Sequence, residues 1–291
     1  HELITEARFM QLRQMVLGKV VPVLEERGMS GPKEFELLTM MALEYFAEEK
    51  VDIVMLEVGL GGRLDSTNIV DSILSVIMSI GLDHCAVLGN TVEAIAGEKA
   101  GIIKPQVPVV TAIQHEPGVM TVLEAAAKAK ASPLLRADQV QYHILAHQEK
   151  GQIFSLTTPN AYYDKLQIKL IGQHQVENAA AVVLAAETLQ QMGWAISQEA
   201  IRRGLTATIW PGRMEYWPLN ADHQGILMDG AHNLAGVQVL TQGLDAYFAG
   251  RPLILLLGIL DDKYQRNMLE VLLPYGEQGI ISRPEENRAE H

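Results

Sequence analysis

Val54-Met55-Leu56-Glu57-Val58-Gly59-Leu60-Gly61-Gly62-Arg63-Leu64-Asp65-Ser66-Thr67-Asn68 reads as an apolar strand that runs into a carboxylate, turns on glycines and then crowds polar groups together. Working outward, a second apolar run from Ile73 to Ile80 opens into Gly81-Leu82-Asp83-His84. A loop then leads to Glu98-Lys99-Ala100-Gly101-Ile102-Ile103-Lys104. Buried strands that end in Glu, Asp-His and Lys set their polar residues along one edge of a sheet, where open α/β folds keep their ligands. The pattern points to an enzyme that handles phosphate and a hard metal ion. A carboxylate closing a buried apolar run is costly unless paired or bound to metal, so Glu57 is expected to have a partner.

On either side the chain alternates helix and strand. Thr5-Glu6 opens a first helix with Phe9, Leu12, Met15, Val16 and Val20 on one stripe, closed by Gly28. Pro32 starts a second, in which Phe35, Leu38, Met41, Ala42 and Tyr45 recur at helical spacing. Strands are expected at 52–58, 73–80 and 108–113, with helix at Val119 to Ala129, which implies a largely parallel, covered sheet. Val140 to Leu145, Gly151 to Leu156 and Leu166 to Leu170 read as a small antiparallel addition at about 139–170. Helix returns from His174 to Met192. The breaker cluster Trp210-Pro211-Gly212-Arg213 marks the expected domain junction, giving units 1–210 and 211–291. Beyond it, strands at Gly225 to Met228, Pro252 to Gly258 and Gln278 to Ser282 alternate with helices at Asn233 to Phe248 and Gln265 to Leu273. That is the beginning of a second α/β unit, ending in a polar tail and short for a doubly wound domain.

Composition narrows the function. A net charge of -12 argues against nucleic acid or an anionic membrane as a general partner, and no apolar run is long enough to span a bilayer. The single Cys85 excludes an internal disulfide framework and fits a reducing cytosol. Cys85 beside His84 is not read as a nucleophilic pair, because adjacent residues at a strand end point apart. The chain starts with His1, not Met, and is expected to be an incomplete translation product.

Each motif has a plainer alternative. Gly59-Leu60-Gly61-Gly62 lacks the third glycine and the following acidic residue of a dinucleotide loop, leaving a tight turn. Asp83-His84 can supply metal ligands, and Mg²⁺, which favours oxygen and keeps waters, could be held by one Glu, one imidazole and phosphate oxygens. Lys99 and Lys104 could be solvated lysines at a helix end. Arg213 could grip a phosphate bidentately or be merely exposed. In Asp229-Gly230-Ala231-His232-Asn233, Asn233 is a good helix N-cap, and the helix N-terminus can receive an anion.

Together these segments resemble the folylpolyglutamate synthase/dihydrofolate synthase family of the Mur ligase superfamily. Glu57 to Asn68, Gly81 to His84 with Leu88-Gly89-Asn90-Thr91, and Ile95 to Lys104 carry the resemblance. Gly172-Gln173-His174-Gln175 with Asn178-Ala179, Pro211-Gly212-Arg213 and Asp229 to Asn233 continue it in the family's order. The resemblance implies that Glu57 and His84 are Mg²⁺ ligands, for one of two ions in the complete enzyme. It implies that Lys99 is carbamylated, and that Glu57, His84 and Lys99 form the catalytic set. It also implies that Asn178 and Arg213 contact ATP, with Asp229 and His232 gripping its ribose and phosphates. The reaction implied is ATP-dependent ligation of L-glutamate to a reduced folate, with dihydropteroate a candidate acceptor, by a cytoplasmic monomer.

The family's Gly-x-x-Gly-Lys-[Ser/Thr] phosphate loop does not occur in the 291 residues. The expected fold is therefore α/β: a P-loop-type mononucleotide-binding domain without its first strand and loop, then a truncated Rossmann-like domain. The chain alone is expected not to turn over. Two alternatives remain open: a Mur-type ligase acting on a UDP-muramyl precursor, and a non-catalytic folate- or nucleotide-binding paralogue.

Overall fold

The computed structural model describes residues 2–148, 150–219, 224–258 and 265–282. His1 and the polar tail from residue 283 lie outside the described residues. Two helices, α1 (Glu6–Glu26) and α2 (Glu34–Glu49), pair at the start of the chain. Thr5 caps α1 by accepting the Arg8 amide at 3.3 Å, satisfying one of the free N–H groups of the first turn. The expected stripe of α1 holds: Leu12 and Val16 are buried against Met41, with Phe9, Met15 and Val20 beside them. In α2 the buried face is rotated from the expected one. Leu37, Met40, Met41 and Tyr45 pack inward, whereas Phe35 and Leu38 are exposed. The Phe35 ring instead lies over Gly59, where an added Cβ would meet its Cζ at 2.6 Å.

A parallel sheet follows, in the order β1 (Ser75–Ile77), β2 (Val109–Thr111), β3 (Leu134–Arg136). Between the strands run α3 (Cys85–Leu88), α4 (Val92–Ala100) and α5 (Val119–Ala129). Alternation along β2 sorts its side chains to two cores. Val109 joins Ile77, Ile95, Val119 and Leu123 under α4 and α5, while Val110 faces Phe154, Leu156 and Val176 on the opposite side. Burial on both faces explains why these strands read as unbroken apolar runs.

One expectation fails here. Residues 52–58 form no strand and pair with none among the described residues, and Ile53, Met55 and Glu57 are exposed, Met55 at 84%. Hydropathy reports what a segment could bury; a strand also needs a neighbour for its N–H and C=O groups. Glu57 therefore does not close a buried run, and the desolvation argument for a partner lapses. Strand β3 was not foreseen, because three residues between Pro133 and Ala137 carry no period.

The antiparallel addition is present as β4 (Gln141–Gln148), β5 (Gly151–Thr157) and β6 (Tyr162–Ile168), in the order 4-5-6. Helix α6 (Gln173–Gln191) packs on it, followed by α7 (Gln198–Ala207). After a turn at Gly212, β7 (Glu215–Pro218) pairs antiparallel with β8 (Gly225–Met228), a hairpin half of which the sequence reading missed. Then come α8 (Leu234–Tyr247), β9 (Ile254–Gly258), α9 (Gln265–Leu272) and β10 (Gln278–Ser282), with β9 and β10 parallel. Ile171 and Met214 pack into the core formed by Val237, Leu244, Phe248, Met268 and Leu272. No helix among the described residues is long and apolar enough to cross a membrane.

Candidate active site

The polar cluster after Glu57 proves to be scaffolding. Asp65 Oδ2 accepts the amides of Gly59 (3.1 Å) and Leu60 (2.9 Å), and its Oδ1 accepts the Thr67 amide and hydroxyl. Burial pushes the Asp65 carboxyl up, but the hydrogen bonds from Thr67, Leu60 and Gly59 outweigh it and hold the group below its ordinary value. Arg63 forks onto Glu98 of α4 with Nη2 at 2.6 Å and Nε at 3.2 Å. Asn68 Nδ2 donates to the carbonyls of Arg63 and Gly101, and Lys104 Nζ donates to the carbonyl of Asn68. These bonds clamp the loop to α4, so that Gly59, Leu60 and Gly61 face a cavity.

The clamp makes Gly101 a close-approach position. Its φ of -61° suits any residue, yet a Cβ there would fall onto the Cα and Cβ of Arg63. Gly101→Ala is expected to cost about 1–3 kcal/mol by overpacking, measured by denaturant unfolding. A neutral result would show that the loop is free to move off α4.

The cavity has a volume of about 530 Å³, within the range of small-molecule sites. Of the seven expected site residues, six line it: His84, Lys99, Asn178, Arg213, Asp229 and His232. Glu57 does not, although its neighbour Val58 does. His84 sits in the left-handed region at φ 51°, directly before α3, and its side chain makes no capping bond to the helix. Asp83 reaches across the sequence, its Oδ2 lying 3.2 Å from Asn233 Nδ2 and 3.4 Å from His232 Nε2. Asp229 accepts the amides of Met214 (2.9 Å) and Ala231 (2.8 Å), which fixes the Arg213 turn beside the start of α8. The Arg213 guanidinium lies over Gly230, where a Cβ would meet Nη1 at 2.5 Å. Asn233 caps α8 through the Gly236 amide at 2.8 Å, as the sequence suggested. Lys99 Nζ has no hydrogen bond or ion pair among the described residues, and its side chain is half-buried.

The sequence reading missed one further group. Glu177, 8% exposed and one turn into α6, accepts hydrogen bonds from the Tyr142 hydroxyl (3.0 Å) and Gln173 Nε2 (3.2 Å), with His115 Nε2 at 2.9 Å. Burial, then the Glu177 charge and hydrogen bond, push the Tyr142 hydroxyl up to about 12 against a smaller opposing effect of Gln173. Glu177, His115 and His174 all line the cavity. The available signal was position: Glu177 directly precedes Asn178, and His115 follows an apolar strand.

His174 is held by its backbone. Gly172 has a φ of 105° and its missing Cβ is where the His174 ring lies, at 2.6 Å from Cε1. The Gly172 carbonyl accepts Gln152 Nε2 at 2.7 Å, while Gln152 Oε1 accepts the Tyr247 hydroxyl of α8 at 2.8 Å. Burial lowers the His174 pKa below 6.5, partly offset by Asp229 and Glu177. The unfolded chain therefore binds a proton more readily than the native one, and His174 disfavours the fold as pH drops from about 6.5 through the lowered native value. His174→Gln is expected to reduce the loss of stability in that window, read from unfolding midpoints across a pH series; an unchanged slope would reject this.

Comparison with known proteins places this geometry in a family. Residues 7–186 match the Mur ligase middle domain. The dihydrofolate synthase/folylpolyglutamate synthase of Bacillus subtilis is 42% identical over 257 residues, covering 87% of this chain and 58% of that protein. The folylpolyglutamate synthase of Lacticaseibacillus casei is 33% identical over 266 residues, covering 90% of this chain and 61% of that protein. The chain thus spans less than two thirds of the length of these curated relatives. Among solved structures, a folylpolyglutamate synthase complex with AMPPCP and folate superposes with a TM-score of 0.88 at 32% identity, covering 96% of this chain and 67% of that one. The Mycobacterium tuberculosis folylpolyglutamate synthase complexed with ADP and AMPPCP gives 0.87 at 31% identity, covering 98% and 64%. With the Mur-type middle domain, the matching sequence and the matching fold in one chain, this protein belongs to the folylpolyglutamate synthase/dihydrofolate synthase family.

Proposed function

We propose that this chain carries the nucleotide- and glutamate-handling part of an ATP-dependent ligase that adds L-glutamate to a reduced folate, with dihydropteroate a candidate second acceptor. The observation that carries the reading is that six residues spread from His84 to His232 line one cavity. The folate carboxylate attacks the γ-phosphoryl group of ATP, giving an acyl phosphate and ADP. The amine of glutamate then attacks the acyl carbon, and phosphate leaves as the amide forms and the ammonium proton is released. Such chemistry depends on positioning and charge neutralisation more than on covalent help.

In this reading Asn178 and Arg213 hold the nucleotide, with the Arg213 guanidinium on its phosphates. Asp229 shapes the turn that presents Arg213, and His232 approaches the ribose and phosphates from the start of α8. Among the described residues no three His, Cys, Asp or Glu side chains form a metal cage. An ion that keeps several waters and takes phosphate oxygens suits a sparse donor set such as Glu57 and His84. Mg²⁺ held there would neutralise charge on the transferring phosphate. Glu57 is the outlying member, since it is exposed and not on the cavity wall. Lys99 is proposed to be carbamylated: its neutral amine adds to CO₂, losing a proton and becoming an anionic carbamate. The two units are proposed to divide at 210/211, and the enzyme to act as a cytosolic monomer.

The test is ATP-dependent incorporation of labelled glutamate into tetrahydrofolate and dihydropteroate, with the complete gene product beside the 291-residue chain. Incorporation by the complete product and none by the shorter chain is the expected result. Failure of the complete product on both folates, with phosphate release on UDP-muramyl substrates, would move the assignment to another Mur-type ligase.

A further inference from the structure

We propose that the open cleft between α7 and the residue that follows β6 is a second binding site, one that takes a small polyanion through carboxylate or phosphate oxygens. The cleft encloses about 470 Å³ and is lined by Lys169, Arg202 and Arg203 together with Glu199, Thr206 and Ala207. Half of its walls are cationic in a chain whose net charge is -12.

These cations differ from several arginines elsewhere in the molecule. Arg8, Arg63, Arg136 and Arg266 each pair with a carboxylate. Among the described residues, Lys169, Arg202 and Arg203 pair with none. Like charges held together repel, and a bound anion relieves that repulsion. The frame of the cleft is built: Arg202 Nη1 donates to the Asp164 carbonyl at 2.5 Å, and Thr206 Oγ1 donates to the Gln167 carbonyl at 3.3 Å. Those two bonds tie α7 to β6 and leave the remaining guanidinium donors of Arg202, with exposed Arg203 and Lys169, for a ligand. Guanidinium forks favour planar carboxylate or phosphate groups. Glu199 on the rim repels an anion less than the three positive groups attract it, so the net preference is for an anion.

The position gives the site a neighbour. Lys169 directly follows β6, and Leu170 to Gly172 lead on to His174 on the main cavity wall. Gln152 Nε2 binds the carbonyls of both Leu170 and Gly172, so one short segment separates the two cavities.

The test is calorimetric titration of the complete gene product at low ionic strength, with AMPPCP saturating the main cavity. Tri-γ-glutamate and inorganic tripolyphosphate are the two probes. Lys169→Glu/Arg203→Glu leaves the tie made by Arg202 intact, and Arg213→Ala controls for the main cavity. The expected result is binding of at least one probe, weakened about tenfold or more by the double substitution and unchanged by Arg213→Ala. Binding of the peptide alone identifies a carboxylate ligand such as a γ-glutamyl tail, and of tripolyphosphate alone a phosphate ligand. Binding by neither probe, or binding indifferent to the double substitution in a variant that melts like the parent, overturns the proposal. Choosing a γ-glutamyl probe rests on the ligase reading, but the titration measures binding and not turnover, so the two readings fail separately.

Discussion

Lys99→Ala in the complete gene product is expected to lower glutamate incorporation by about 10²–10³-fold, the usual scale for removing one preorganised electrostatic group. Lys99 lines the cavity with His84, Asn178 and Arg213, and its ammonium is not engaged by any carboxylate among the described residues. If it acts as a carbamate, the alanine variant lacks an anion, not a cation. Formate or acetate should then restore part of the rate, whereas ethylamine should not. Intact mass at neutral pH with bicarbonate should show the carbamate's added mass in the parent and not in Lys99→Ala. A variant as active as the parent would remove Lys99 from the site, and rescue by amines alone would show that it works as a cation.

The largest loss of stability is expected from Glu187→Ala. Glu187 is 3% exposed on α6 and accepts three hydrogen bonds, from Thr158 Oγ1 (2.8 Å) and Asn160 Nδ2 (3.0 Å) in the β5–β6 turn and from the Tyr163 hydroxyl of β6 (2.9 Å). Tyr163 is itself 1% exposed, and burial first, then Glu187, pushes its hydroxyl well above the ordinary tyrosine value. Truncation leaves these donors without an acceptor, at about 1–3 kcal/mol for each one that stays dry, so a total on the order of 4 kcal/mol is expected. Glu187→Gln, which keeps one acceptor oxygen, should cost less. Denaturant unfolding monitored by circular dichroism measures both. A loss below about 1 kcal/mol in Glu187→Ala would mean that water replaces the carboxylate.

Much of the fold was legible from pattern. Helix α5 spans the expected Val119 to Ala129, the antiparallel addition forms its three strands although β6 begins at Tyr162 and not at Leu166, and Asn233 caps α8. What periodicity could not supply was partnership. Residues 52–58 have the composition of a central strand, yet pairing depends on a neighbouring backbone, which no local pattern encodes. For the same reason the buried face of α2 was misjudged, since the Gly59 turn claims Phe35. Polar residues divided similarly. Asp65, Arg63 and Asn68 looked like candidate chemistry and proved to be the clamp that holds the Gly59–Gly61 turn against α4. Glu177, hidden in a helix, turned out to be a buried acceptor on the cavity wall.

The sequence by itself determined the α/β class, the helical and strand segments that have a clear period, the family, and the identities of the candidate ligands. These rest on local physics: side-chain period, capping groups and turn residues act over a few positions. Only the tertiary structure decided that His84, Lys99, Asn178, Arg213, Asp229 and His232 share one cavity, and that Glu57 stands off its wall. It also set which carboxylates hold the frame and which face the opening. Those outcomes depend on contacts such as Asp83 with His232 and Asn233, or Tyr247 with Gln152. Such contacts join residues about a hundred or more positions apart, and their geometry exists only once the sheets and helices have packed.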